Sequence, residues 1–286
     1  MSDRVTTSFD LIVATVDRVD ELGRLLGSLE RQTHGSLRVL LVDQNADNRL
    51  TSVIEAHPTV EIVRLHAERG LSRARNAALP HVVADVVAFP DDDCLYPPDL
   101  LERVARRFES RPELHGLSGR AVDPDGRSSP SWAPDEAVLA PDNLWNRAIS
   151  FAIFLRREVV ARVGQFDEQL GLGASTRWPS GEEVDYLIRA LRAGFLVEYD
   201  FDLVVLHEEK ALDAARLQSI GRRDGASVGY LLRKHRYPAS TLARMLVRPL
   251  GGVLLSAARG NTASARFHAA TLHGRVLGYR SGARAG

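Results

Sequence analysis

Short, unbroken apolar runs alternate with helical faces along the first third of the chain. Leu11-Ile-Val-Ala-Thr15 and Val39-Leu-Leu-Val42 carry no polar interruption, as strands buried on both faces of a parallel sheet do. Between them Leu22, Leu25, Leu26 and Leu29 fall at i, i+3, i+4 and i+7, one face of an amphipathic helix whose start Asp17 or Asp20 can cap. The pattern then predicts a short helix over 50–56, a strand over 60–65, a helix over 71–79 and a strand over 85–89. Leu101, Val104 and Phe108 mark a further helix, opened by Pro97-Pro98-Asp99. This alternation predicts a doubly wound α/β sheet, in which ligands sit beyond the carboxyl ends of the strands. Three expected strands run into polar residues there, at 15–17, 43–45 and 91–93.

The later chain is less regular. Residues 123–142, rich in Pro, Ser and Asp, read as a loop or boundary. An apolar run at 151–155, a helix at 157–163, a Gly/Ser loop at 171–181 and a helix at 182–193 follow. Strands are expected at 195–199 and 203–206, the second ending at His207. Residues 211–286 read as helical, with breaks near Pro238, Pro249 and Gly260. No internal repeat stands out. The expected organisation is a first half over 1–122, a second half of the same domain over 123–210, and a helical extension over 211–286.

Composition narrows the class. The 286 residues are 44% hydrophobic and 26% charged, which excludes a wholly disordered chain. A single cysteine, Cys94, excludes an intrachain disulfide framework and a cysteine-rich zinc site. The net charge of zero hides an asymmetry: residues 211–286 hold 13 Lys and Arg against 2 Asp and Glu, a balance of +11, and residues 1–210 carry −11. An acidic body with a basic tail fits a metal-binding core and an anionic surface as partner, or a basic helical pair that neutralises the body. Residues 1–10 lack the apolar stretch of a secretory signal. The most apolar stretch, 246–258, is interrupted by Arg248, Pro249 and two glycines and reads as too short to span a membrane. The expected location is cytoplasmic, with the basic tail as a peripheral contact to the inner face of the cell membrane; nucleic acid is not an expected partner.

Candidate chemistry concentrates at the strand ends. Asp91-Asp92-Asp93 places three mutually repelling carboxylates behind a buried strand, where a hard divalent cation would neutralise them; the alternative is a solvated acidic turn. Glu182, Glu183 and Asp185 open a helix, where they suit either capping by the dipole or a general base. His207 is a structural histidine or a metal ligand. Arg73 and Arg75 fit phosphate pairing or a solvated face. Trp178 fits stacking on a sugar or plain packing. Gly171-Leu-Gly173 lacks the preceding strand of a dinucleotide fingerprint and is set aside.

In order, these motifs resemble family 2 glycosyltransferases of the GT-A fold, over residues 9–210. Leu11-Ile-Val-Ala-Thr15-Val-Asp17-Arg18 is similar to the family's opening strand, and Val39-Leu-Leu-Val-Asp43 to its second nucleotide-contacting strand. Gly70-Leu-Ser-Arg73-Ala-Arg75-Asn76 is similar to its G-x-x-x-A-R-N stretch, and Asp91-Asp92-Asp93 to its D-x-D motif. Val163-Gly-Gln-Phe-Asp167-Glu168 and Gly181-Glu182-Glu183-Val-Asp185 resemble the acceptor side, where the second acid of an E-D pair is the base. His207 matches a histidine that joins the metal shell in some members. The resemblance implies a Rossmann-like, mostly parallel nucleotide-binding sheet flanked by helices, with a C-terminal helical extension. It implies a nucleoside-diphosphate sugar donor at Thr15, Asp17, Asp43, Gln44, Arg73, Arg75, Asp91 and Asp92, and Mn²⁺ or Mg²⁺ at Asp93, Asp91 and His207. Glu183, beside Glu182, would be the base, and Trp178 and Asp185 would face a hydroxyl acceptor, lipid-linked or otherwise. Inversion in one displacement is the implied reaction.

Two departures bear on this. The E-D pair is Glu182-Glu183, one methylene longer at the base. Gln44 stands where uridine-using relatives often carry a second Asp, which leaves UDP, GDP and dTDP open. The competing readings are a nucleotidyltransferase acting on a sugar phosphate, which would release pyrophosphate, and a non-catalytic sugar- or nucleotide-binding module.

Overall fold

The structure, a computed structural model, describes residues 6–129, 131–208 and 213–281. The expected boundary at 210/211 lies outside the described residues. The elements run β1 (Phe9–Thr15), α1 (Asp20–Glu30), β2 (Leu37–Asp43), α2 (Thr51–Glu55), β3 (Glu61–His66), α3 (Leu71–Ala78), β4 (Val86–Ala88), β5 (Cys94–Leu95), α4 (Leu100–Ser110), β6 (Gly116–Val122) and β7 (Ala137–Val138). They continue with β8 (Ile153–Arg156), α5 (Arg157–Val163), α6 (Glu182–Arg192), β9 (Val197–His207), α7 (Ala214–Lys234), α8 (Ala239–Ala258) and α9 (Thr262–Ser281). The chain divides into two compact units, Met1–Phe166 with Tyr186–Glu209, and Asp167–Asp185 with Lys210–Gly286.

The first unit is built on one sheet in the order β3-β2-β1-β4-β8-β6-β9-β5, with β7 on β9. β3, β2, β1 and β4 are parallel; β8 joins β4 and β6 antiparallel, and β6 runs parallel to β9. β1 sits at the centre because its apolar run is buried almost throughout. Leu22, Leu25, Leu26 and Leu29 of α1 are 0–2% exposed, the face their spacing predicts. Burying each contributes roughly 1.5–3 kcal/mol. The chain leaves β1 toward β2 and β3 on one side and returns to β4 on the other, so the strand order reverses at β1. In an open α/β sheet that reversal is where a ligand crevice forms.

Two strands expected at 195–199 and 203–206 are one, β9. The polar Asp200-Phe-Asp202 between them reads as a turn, but Asp200 accepts from the Asp202 and Leu203 amides (2.8 and 3.2 Å), and the chain stays in the sheet across an irregular register. Gly119 faces that irregularity; a Cβ there would lie 2.1 Å from the Leu203 carbonyl oxygen. Among the described residues of 123–142, β7 is the one regular element. α1 is preceded by Val19 without a side-chain cap, and Asp20 lies in its first turn, so neither expected aspartate caps it.

The second unit is dominated by α7, α8 and α9. Gly221, Gly225 and Gly229 of α7 and Gly274 and Gly278 of α9 recur every four residues and are buried. A Cβ on Gly229 would lie 2.1 Å from the Arg275 carbonyl oxygen, and one on Gly278 2.0 Å from that of Ala226, so the two helices meet backbone to backbone. The break expected at Pro249 does not occur, and α8 runs 20 residues through it. Proline leaves the carbonyl four residues back without its helical donor. Here that is Met245, and its carbonyl accepts from the Arg275 guanidinium of α9. α8 is therefore long and apolar enough to cross a membrane by length and composition, which corrects the sequence expectation.

Candidate active site

The parallel strands of the first unit deliver their carboxyl ends to one edge. Thr15 ends β1 buried, and its carbonyl accepts from the Gln44 amide (3.0 Å). Asp17 turns at a left-handed φ of 60°, and its exposed carboxylate pairs with Arg49 (2.7 Å) and Arg69 (2.8 Å). Asp43 ends β2 fully buried. Its Oδ2 accepts from Arg64 (2.6 and 3.1 Å) and its Oδ1 from the backbone and side chain of Asn45 (both 2.8 Å). Burial pushes this carboxyl up, but the bonds from Asn45 and Arg64 outweigh it and hold Asp43 below its ordinary range. Gln44 Oε1 accepts from the Gly70 amide (2.7 Å), where φ is 138° and α3 begins. Gln44 thereby fixes the entry to the Arg73–Asn76 stretch.

Within α3, Arg73 is partly exposed and donates to the Arg69 carbonyl (3.0 Å) and to Glu68 (3.3 Å). Arg75 is almost wholly buried; its guanidinium lies 5.4 Å from the Phe166 ring centre and 5.8 Å from that of Phe89, and reaches Asp91 at 3.4 Å. Asn76 clasps the backbone of Phe166, donating to its carbonyl (3.0 Å) and accepting from its amide (2.7 Å).

The acidic cluster lies just past β4. Asp91 forms a parallel bridge with Ala14 of β1. Arg18 lies 2.9 Å from Asp92 and 2.5 Å from Asp93. β5 pairs with β9 so that Cys94 faces His207, and this register brings His207 Nε2 to 3.3 Å from Asp93 Oδ1. The His207 ring is itself stacked on Phe151, 5.0 Å away and 7° from parallel. The hydrogen bond from His207, with help from Arg18, holds Asp93 down to about 2 against its burial. The same bond raises His207. Burial pushes Asp92 up, against hydrogen bonds and charge from Thr15 and Arg18. The repulsion expected among three adjacent carboxylates is thus relieved by Arg18, Arg75 and His207. Cys94 is buried and its thiol raised well above the ordinary range by that burial, which leaves it inert.

Carboxylate is a hard donor and imidazole a borderline one, a set that fits Mn²⁺ better than Mg²⁺. Among the described residues no group of three or more His, Cys, Asp or Glu side chains is arranged to hold a metal ion. The pair that converges, Asp93 with His207, suits a cation completed by phosphate oxygens and water, the usual manner for Mg²⁺ at phosphate sites.

The remaining candidates belong to the second unit. Gly181 precedes α6 with φ 88°, and a Cβ there would lie 2.8 Å from Leu231, so glycine is required. In the first turn of α6 Glu182 is buried and Glu183 half-buried. Trp178 and Asp185 do not stand open to an acceptor. Trp178 is 7% exposed and stacked on Tyr230, 4.8 Å away and 16° from parallel. Asp185 is wholly buried, with Lys234 at 2.6 Å and His235 at 2.8 Å. Sequence reasoning missed Arg18, Asn76 and Lys234; Arg18 and Asn76 lie inside quoted motifs, but nothing local marks their distant partners.

A sequence profile described as Glycosyl transferase family 2 matches residues 10–158. The chain belongs to glycosyl transferase family 2. It is 27% identical over 213 residues to the pre-mycofactocin glycosyltransferase of Mycobacterium tuberculosis, covering 70% of this chain and 42% of that protein. The chain spans roughly half the length of the first curated relatives it matches. Among solved structures, the mannosyltransferase PcManGT from Pyrobaculum calidifontis, in complex with GDP-Man and Mn²⁺, aligns with a TM-score of 0.65 at 16% identity, over 94% of this chain and 86% of that one. S. aureus TarS 1–349 in complex with UDP-GlcNAc aligns with a TM-score of 0.62 at 16% identity, over 91% of this chain and 90% of that one. The fold of this family 2 chain is therefore GT-A, its mixed sheet flanked by helices.

Proposed function

We propose that the chain transfers a sugar from a nucleoside-diphosphate sugar to a hydroxyl acceptor, with inversion at the anomeric carbon. The observation that carries this is the approach of His207 to Asp93 within the acidic stretch that follows β4 beside the carboxyl end of β1, in a chain of this family. Asp93 and His207 would hold Mn²⁺ or Mg²⁺, with Asp91 nearby on the same edge, and the cation when bound would neutralise charge on the departing diphosphate. Arg18 is the residue that must yield Asp92 and Asp93 when the donor's diphosphate arrives. Arg73, half exposed at the start of α3, suits a phosphate oxygen.

Glu183 takes the proton from the acceptor hydroxyl as that oxygen attacks the anomeric carbon. The bond to the nucleoside diphosphate breaks on the opposite face, and one displacement inverts the centre. A double displacement would need a nucleophilic carboxylate below the sugar. The two solved neighbours carry different bases, GDP in one and UDP in the other, so likeness of fold does not choose the nucleotide.

Product analysis with a panel of nucleoside-diphosphate sugars and Mn²⁺ tests the reading. Release of nucleoside diphosphate, abolished in Glu183→Gln with nucleotide binding kept, is expected. Release of pyrophosphate would establish a nucleotidyltransferase instead, and full activity in Glu183→Gln would remove the base assignment.

A further inference from the structure

We propose that α8 seats the chain on an anionic lipid surface, lying in the plane of the interface rather than crossing the bilayer. The helix has two opposed faces. Met245, Pro249, Gly252 and Ser256 recur at i, i+4, i+7 and i+11 and turn inward within their unit. On that face Met245 meets Arg275 and Gly252 meets His268, both of α9. On the opposite face Val247, Leu250 and Leu254 stand 62%, 46% and 65% exposed, with Leu255 beside them at 53%. Large aliphatic side chains lined up along one stripe of a helix form a contiguous apolar surface, which marks an interaction site where scattered ones would not.

Charge selects the occupant. Exposed Arg244, Arg248 and Arg259 lie along one flank of the same helix. The last acidic residue of the whole chain is Asp224, and the 62 residues after it contain 10 Lys and Arg. An apolar stripe flanked by arginine, with no carboxylate on its own or the following helix, is complementary to an anionic headgroup layer over acyl chains. A cytoplasmic leaflet has that character.

Crossing is disfavoured by the same residues. Arg248 sits near the middle of the helix, where a spanning segment would hold it in hydrocarbon. The buried face is already covered by α9, leaving one face for lipid. Arg275 bridges the proline gap, and α8 is continuous through Pro249, so the stripe lies on one helix.

Co-sedimentation of the full chain with vesicles tests this. The chain should bind vesicles containing phosphatidylglycerol far better than vesicles of phosphatidylcholine alone, and rising ionic strength should release it. Near an anionic surface each basic residue is worth roughly fivefold in partitioning, so Arg244→Gln with Arg248→Gln should lower binding on the order of 25-fold. Leu250→Glu with Leu254→Glu should also abolish it. These side chains are exposed, and an unchanged circular dichroism spectrum and melting point show that the variants fold. A reporter, Leu254→Trp, should shift to the blue on binding and be quenched best by lipids brominated near the headgroup.

Equal binding to both vesicle types, or none, overturns the proposal. Strongest quenching by lipids brominated at the chain end replaces lying with spanning. A dimer that Leu254→Glu dissociates, without vesicle binding, assigns the stripe to a second copy. The assay contains no donor or acceptor, so its failure leaves the sugar-transfer reading untouched.

Discussion

Replacing Asn76 by Ala should destabilise the first unit well beyond the loss of one polar side chain. Asn76 is 6% exposed and joins α3 to a residue 90 positions away through two bonds, from its amide nitrogen to the Phe166 carbonyl (3.0 Å) and from the Phe166 amide to its oxygen (2.7 Å). Each bond has a net worth of about 1 kcal/mol, and a buried amide left unpaired costs about 1–3 kcal/mol more. The expected total is about 3–5 kcal/mol. The loss also reaches the site. The Phe166 ring is stacked on Tyr186 (4.1 Å), meets Phe89 edge-on (5.2 Å) and carries the Arg75 guanidinium. A loosened Phe166 therefore frees the arginine that faces Asp91. Urea melts followed by circular dichroism measure the change. Asn76→Asp keeps an acceptor for the Phe166 amide and should recover part of it. A wild-type midpoint for Asn76→Ala would refute the reasoning, because it would mean the clasp is not formed or not buried.

The Asp93–His207 pair predicts a pH window. His207, raised by Asp93, contributes stability that is complete below its ordinary 6.5 and is lost as pH rises through the raised value. Asp93, held at about 2, contributes above its ordinary 3.8 and loses that as pH falls toward about 2. Melting points of wild type and His207→Gln should therefore differ most between about pH 4 and 6.5, and converge outside that range. Metal ligation needs a neutral imidazole, so Mn²⁺ affinity measured by calorimetry should climb as pH rises through the His207 transition; a flat profile would remove His207 from the ligand set. Gly229→Ala should be destabilising, because the 2.1 Å approach to the Arg275 carbonyl forces α7 and α9 apart at about 1–3 kcal/mol or more. That outweighs the ~1 kcal/mol that alanine gains over glycine inside a helix. A melting point at or above wild type would show that the helices do not meet there.

The sheet and its acidic edge were legible because they rest on local signals. A run such as Leu11-Ile-Val-Ala-Thr15 is buried on both faces, the α1 leucines keep helical spacing, and carboxylates follow directly on an apolar strand. What was not legible depends on residues far apart in sequence. Asp92 and Asp93 are neutralised by Arg18, more than 70 positions upstream. Nothing near Asp185 in sequence shows that Lys234 and His235, about 50 positions on, lie against it. Pro249 carries a strong local instruction to stop a helix, and Arg275 overrides it by supplying the donor that Met245 lacks. The glycines at 221, 225, 229, 274 and 278 are visible at a spacing of four, yet their meaning comes only from the facing helix. Trp178 has the chemistry of a sugar platform, and its burial against Tyr230 is a tertiary fact.

Asp93 and His207 are proposed to hold a divalent cation for a donor's diphosphate. Thermal melting with UDP, GDP and dTDP, each with and without Mn²⁺, tests it most directly. Selective binding stabilises the folded chain, by about 2.7 kcal/mol at a hundredfold excess over Kd. One nucleotide should raise the melting point only when Mn²⁺ is present, and Asp93→Asn should remove the rise. A nucleotide shift that ignores Mn²⁺, or that survives Asp93→Asn intact, would contradict the proposal.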